Sequence, residues 1–219
     1  MHNTINPSDM FYPVLAQQVK EILQTVDQIE DERKKALNDA AHLLSGLYKV
    51  EQKLVVNFIC THNSRRSQLS ESWAYAAANY FQLDKIHAVS GGTEGTAFNE
   101  RAVLALQKCG FRITKASESP NPIYLVHAGP EISVQKQYSK RYDDALGHGE
   151  KFVAIMTCDH ADQNCPYIPE ALARISMNFV DPGKSDGTPD EAAVYFQRSR
   201  EIAANLFYLF AQVKKLSGV

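Results

Sequence analysis

Cys60-Thr61-His62-Asn63-Ser64-Arg65-Arg66-Ser67 sets a cysteine and an arginine six positions apart, between an apolar run and an alanine-rich one. Residues 54–59, Leu-Val-Val-Asn-Phe-Ile, have the composition of a short buried strand, and residues 67–80 that of a helix. A five-residue loop closing onto a helix start turns several backbone N–H groups inward, and the positive end of the helix dipole adds to their field. Such a cradle suits a tetrahedral dianion and favours a thiolate at Cys60. Thr61, His62, Asn63, Ser64, Arg65 and Arg66 are thus the candidate oxyanion-binding residues. Arg66 can lay a bidentate fork on two oxygens of the anion, and Ser67 can offer its hydroxyl to the sulfur.

The spacing also arises by chance, and a cysteine at a strand end is commonly a packed apolar residue. Two distant segments bear on the choice. Asp181-Pro182 follows the apolar residues 175–180, where a loop at a strand end can return an acid to the site. Cys158-Asp159-His160-Ala161-Asp162-Gln163-Asn164-Cys165-Pro166 follows the strand-like residues 152–156. By spacing alone Cys158 and Cys165 are two unrelated buried cysteines, or with His160 an incomplete metal set.

Taken together, these motifs resemble the low-molecular-weight protein tyrosine phosphatase superfamily and, within it, the thioredoxin-coupled arsenate reductases. The resemblance runs over residues 53–213. It rests on Phe58-Ile59-Cys60-Thr61 with Asn63-Ser64 and Arg66-Ser67-Gln68, on Met156-Thr157-Cys158 through Asn164-Cys165-Pro166, and on Phe179-Val180-Asp181-Pro182. Residues 195–202 resemble the last helix of that fold. The resemblance implies an α/β fold with a central parallel sheet flanked by helices, a flavodoxin-like three-layer arrangement. It also implies arsenate reduction with Cys60, Arg66, Ser67, Asp181, Cys158 and Cys165 as catalytic residues. Cys60 would attack arsenic while Asp181 protonates the departing oxygen; Cys158 would then resolve the adduct, Cys165 would take over the disulfide, and thioredoxin or a similar dithiol would reset the enzyme. No organic cofactor is implied. Asn63, Glu71 and Ser90 match positions of a structural potassium site in some reductases, although an asparagine in a tight loop equally stabilises a turn.

The alternative is a protein tyrosine phosphatase, a hydrolase needing only Cys60, Arg66 and Asp181 and passing through a phosphocysteine. Gly183 and Lys184 stand where phosphatases of this fold usually carry aromatic residues, which favours the reductase. A third reading is a non-catalytic oxyanion sensor. Departures from the family pattern are His62 in place of glycine and Arg65 in place of cysteine, the latter expected to face solvent. The segment 117–150 is longer than in the reductases and reads either as a lid or recognition loop or as a partly ordered surface insertion.

The core should alternate strands and helices, with parallel strands at 54–59, 86–89, 152–156 and 175–179, and Ser90-Gly91-Gly92-Thr93-Glu94-Gly95-Thr96 forming a flexible turn. Cys109, ending a helix before Gly110, reads as a packed bystander. Residues 1–50 lie outside the resemblance and form a helical hairpin, starting near Pro7-Ser8-Asp9 and presenting Val14, Leu15, Val19, Ile22, Leu23 and Val26 on one face. Its stripe must cover either residues 51–219, the catalytic domain, or a second copy in a homodimer, while the run Glu30-Asp31-Glu32-Arg33-Lys34-Lys35 reads as a solvated face. A net charge of −2 argues against nucleic acid as a partner, and no apolar run of membrane-spanning length occurs. With four cysteines and no leader-like start, a cytoplasmic protein is expected.

Overall fold

The computed structural model describes residues 10–147, 149–164, 168 and 170–219. The proposed helix start at Pro7-Ser8-Asp9 lies outside them, and so does Cys165. In chain order the elements are α1 (Pro13–Thr25), α2 (Asp31–Val50), β1 (Leu54–Cys60), α3 (Arg66–Tyr80), β2 (Ile86–Gly92) and α4 (Glu100–Lys108). There follow β3 (Arg112–Lys115), β4 (Tyr124–His127), β5 (Gln135–Gln137), β6 (Phe152–Met156), α5 (Asp159–Asn164), β7 (Ala171–Ser176) and α6 (Glu191–Ser217).

Four strands form a parallel sheet in the order β2-β1-β6-β7. With β1 flanked on both sides and covered on both faces, every one of its residues is buried, which is why its sequence is a continuous apolar run. The two faces separate by alternation: Leu54, Val56 and Phe58 join one buried cluster with α3 and α6, while Val55, Ile59 and Cys60 join another with Phe152, Met156 and Cys158. The register pairs Cys60 with Gly92 and Ile59 with Met156, so the carboxyl ends of three strands finish together. Crevices at such ends are where sheets of this kind bind ligands.

The long α6 is the spine of one face. Trp73 of α3 donates to Ser199 Oγ at 2.9 Å, and Phe207 stacks edgewise or tilted against Trp73, Tyr80 and Phe81. Helices α1 and α2 contact α6, burying Leu15, Val19 and Ile22 from one and Leu37, Ala41 and Leu44 from the other. That spacing is the inward stripe of an amphipathic helix. The stripe is therefore covered within one chain, and an uncovered apolar face no longer argues for a homodimer. Val14, expected on the inner face, is exposed. Arg33, expected in solvent, is half-buried against α6 and the segment after β7.

Two further expectations change. The last strand is β7, Ala171–Ser176, rather than 175–179; beyond it Met177 and Phe179 still donate to Met156 O and Thr157 O, so the chain stays on β6 without regular pairing. Of the expected turn, Ser90, Gly91 and Gly92 belong to β2, and the chain bends only from Thr93 on. A Cβ on Gly92 would lie 2.6 Å from Thr61 O and 2.7 Å from Asn63 N, so the missing side chain serves close packing. Within segment 117–150, β4 and β5 join β3 in an antiparallel sheet, with Tyr124, Val126, Ala128 and Ile132 buried. None of the described helices is long and apolar enough to cross a membrane.

Phe207→Ala removes a ring at the centre of this aromatic group and is expected to cost about 3–5 kcal/mol. Urea denaturation followed by circular dichroism would register this as a lowered midpoint.

Candidate active site

Cys60 is the last residue of β1, and its Sγ lies 3.0 Å from Ser67 Oγ in the first turn of α3. Asn63 Nδ2 donates to that same Ser67 oxygen at 2.9 Å, which leaves the hydroxyl proton available to the sulfur. Among the described residues, no protein group accepts from the backbone N–H groups of residues 61–65. These are free donors around a buried sulfur, at the start of a 15-residue helix.

The turn itself is made by Asn63, which is fully buried at φ 45°. Asparagine tolerates this left-handed geometry. His62, standing at the family's glycine, avoids it; its side chain is half exposed, 3.4 Å from Glu94, and its carbonyl accepts from Ser139 and Thr96.

Arg66 Nη2 binds Asp181 Oδ2 at 2.7 Å, and its Nη1 donates to Phe179 O at 3.1 Å. Asp181 Oδ1 accepts from Gly183 N at 2.9 Å, capping the short 3-10 helix Pro182–Ser185. Arg66 Nε is buried without a partner among the described residues, a donor left over for a ligand. Arg65 does not face solvent and does not present its side chain as an anion donor: Nε donates to Tyr195 OH at 2.7 Å and Nη2 to Asp186 Oδ2 at 2.9 Å. Burial lowers its affinity for the proton, yet Tyr195, Asp181 and Asp186 together hold the guanidinium above its usual range. The Tyr195 hydroxyl, buried and donating to Asp186, is pushed up to about 12.

Cys158 is buried just beyond β6, with Sγ 3.6 Å from Thr61 Oγ1 and 3.4 Å from Ala161 N. Thr61 Oγ1 also lies 3.1 Å from His160 Nδ1. The structure thus gathers Cys60, Arg66, Ser67, Asp181 and Cys158 at one end of the sheet.

Asn63, Glu71 and Ser90 do come together, joined by hydrogen bonds among themselves. Lys140 N, which can only donate, points at Asn63 Oδ1 at 3.0 Å, and Gln68 Nε2 donates to the same oxygen at 3.1 Å. The amide nitrogen therefore faces Ser90 Oγ at 2.8 Å, and Ser90 in turn donates to Glu71 at 2.5 Å. The Asn63 carboxamide thus turns its nitrogen toward Ser90 and its oxygen toward Lys140 and Gln68. Burial pushes the Glu71 carboxyl above its usual range, and the charge of Lys140 opposes that rise.

Residues 138–142 are the part of the site the sequence reading missed. Gln68 donates to Tyr138 O, Lys140 meets Asn63, Gly92 N donates to Lys140 O and Tyr142 N to Gly92 O. The segment laces the nucleophile loop to the end of β2. Its only sequence signal was a cluster of Tyr138, Lys140, Arg141 and Tyr142 in a long segment between strands.

A parallel sheet ordered 2-1-3-4 in its strands' sequence, with a cysteine, arginine and serine cradle at its carboxyl edge and an aspartate facing the arginine, defines a phosphatase-like oxyanion fold. The chain belongs to the family of the arsenate reductases that it matches. It is 30% identical over 155 residues to an arsenate reductase of Shouchella clausii, covering 70% of this chain and 93% of that protein. It is 29% identical over 161 residues to an arsenate reductase of Bacillus subtilis, covering 74% and 97%. The solution structure of a low molecular weight protein tyrosine phosphatase from Bacillus subtilis shares the fold, with a TM-score of 0.50 at 18% identity over 74% of this chain and 98% of that one. No family model matches the chain.

Cys109 is fully buried beside Ser199, and burial pushes its thiol from 9.0 up to about 11. Between those values the unfolded chain binds fewer protons than the native one, so this thiol makes stability fall as pH rises through that window. In native protein Cys109 is expected to resist iodoacetamide at about pH 8 and to react once urea unfolds the chain, as peptide mass mapping would record. Gly92→Ala is expected to cost about 1–3 kcal/mol by forcing the loop and β2 apart, measured as a drop in the urea midpoint.

Proposed function

We propose that this protein reduces arsenate to arsenite through Cys60 and an internal thiol relay. The observation that carries the reading is Cys158: a buried thiol 3.6 Å from the hydroxyl of Thr61, the residue after Cys60, and in the same buried cluster as Cys60. Hydrolysis of a phosphate ester has no use for a second thiol there. The arsenate reductases among the relatives support the same choice.

In this cycle arsenate lies on the free N–H groups of the loop, with Arg66 exchanging its bond to Asp181 for oxygens of the anion. The Cys60 thiolate, favoured by the Ser67 hydroxyl, forms a bond to arsenic. One oxygen leaves as water, taking a proton from Asp181. The Cys158 thiolate then attacks Cys60 Sγ. The sulfur–arsenic bond breaks, its electron pair stays on arsenic, and arsenite departs. Cys165 attacks Cys158 Sγ and frees Cys60 as a thiolate; a thioredoxin-like dithiol supplies the two electrons that reopen the last disulfide. The Cys165 step rests on the sequence resemblance, since that residue lies outside the described ones.

A phosphatase reading has its own support: Cys60, Ser67, Arg66 and Asp181 are assembled by contacts that do not involve Cys158. One equivalent of arsenate added to fully reduced protein is expected to release about one equivalent of arsenite and leave a Cys158–Cys165 disulfide, mapped by mass spectrometry. Cys158→Ser should abolish arsenite release while sparing aryl phosphate hydrolysis, and Cys60→Ser should abolish both. Free thiols throughout, with aryl phosphate turned over, would overturn the reductase in favour of the phosphatase.

A further inference from the structure

The run 30–35 at the start of α2 puts one charge where no solvated face is: Arg33 Nε donates to Asn205 Oδ1 of α6 at 2.6 Å and Nη2 to Asn178 O at 3.3 Å. Its Cζ lies 4.9 Å from the centre of the Phe179 ring. Asn205 is itself fixed, donating to Glu201 O at 2.8 Å. Burial pulls the Arg33 guanidinium below its usual range against the charge of Glu201, so its contacts are made partly out of water and count for more.

Asn178 and Phe179 are a junction. The next carbonyl along, Phe179 O, accepts from Arg66 Nη1 at 3.1 Å, and Phe179 N donates to Thr157 O at 3.2 Å. The Asn178 side chain donates to Asp162 Oδ2 at 3.0 Å, on α5 directly after Cys158. Two residues further on comes Asp181. Two guanidiniums from distant parts of the chain thus hold successive carbonyls, one from the nucleophile loop and one from α2.

We infer that Arg33 is a positioning residue for Asp181: by gripping Asn178 O and the Phe179 ring from behind, it fixes where the acid loop leaves the sheet and so where the Asp181 carboxyl meets Arg66. Asp181 as the acid rests on the function proposed above; the grip itself rests only on the contacts. It gives α2, which lies outside the family resemblance, a part in the reaction. Arg33 touches no reacting atom, and its effect must pass through the loop.

The Gly183 amide, bonded to Asp181 Oδ1, reports the loop without reference to activity. Arg33→Met keeps an apolar stem and removes the fork. It is expected to speed hydrogen exchange at Gly183 about tenfold while leaving the Val56 amide of β1 unchanged, as NMR would follow. It should also slow arsenite formation about tenfold with the dissociation constant for inorganic phosphate held within about twofold, and add no further loss in an Asp181→Asn background. Arg33→Lys, which keeps the charge but not the fork, should fall between and serves if Arg33→Met does not fold. Wild-type exchange at Gly183, or an equal loss of rate with and without Asp181, would overturn the inference. Failure of the wild-type protein to turn over arsenate would instead strike the function proposed above. The coupling to Asp181 would then be read on aryl phosphate, and Gly183 exchange would still decide the grip.

Discussion

Asn63 is buried at φ 45°, and both ends of its carboxamide are committed. The oxygen accepts from Lys140 N and Gln68, while the nitrogen reaches Ser67 and Ser90. Through these bonds one side chain ties the nucleophile loop to α3, to the end of β2 and to the segment 138–142. Ser67 carries the effect on to Cys60, because an oxygen already accepting from Asn63 has its proton left for the sulfur. A reversed amide would set donor against donor at Lys140, so the geometry around the thiol is specified by hydrogen-bond polarity as much as by packing.

A second theme is how many guanidiniums converge on one short stretch of chain. Arg66 holds Phe179 O and Asp181, Arg65 holds Asp186 and Tyr195, and Arg33 holds Asn178 O. Each presents a rigid planar fork, which suits fixing a loop that has no regular pairing of its own. Gly183 fits this arrangement, since a Cβ there would lie 2.9 Å from Arg65 Cζ. The acid loop is therefore shaped from three directions by charge. Of these, only Arg66 has a buried guanidinium nitrogen, its Nε, without a partner among the described residues.

Much of the nucleophile loop was legible because it is local. Cys60, Arg66 and Ser67 follow from a strand, a short loop and a helix in succession, and the parallel sheet follows from apolar runs separated by helical ones. Asp181 and Cys158 were legible as residues just past such runs. Arg65 was misjudged because an arginine in isolation looks solvated, and its partners Asp186 and Tyr195 lie more than a hundred residues away. Arg33 was misjudged for the same reason, hidden among five other charged residues. Ser90, Gly91 and Gly92 looked like a turn because small residues carry no strand preference; what makes them strand is parallel pairing with Phe58, Ile59 and Cys60, and what keeps the last two glycine is the close approach of Thr61, Asn63 and Tyr142.

The sequence by itself determined the alternation of parallel strands with helices in the main sheet, the placement of a cysteine and an arginine on one loop, and the family that loop resembles. These depend on periodicity and on residues within a few positions of one another. Only the tertiary structure decided which way the Asn63 amide faces, that the Lys140 backbone meets it, and that α2 reaches the acid loop through Arg33. Those are choices among hydrogen-bond partners brought together by folding, and a buried donor or acceptor takes whichever complementary group the packed chain places within reach.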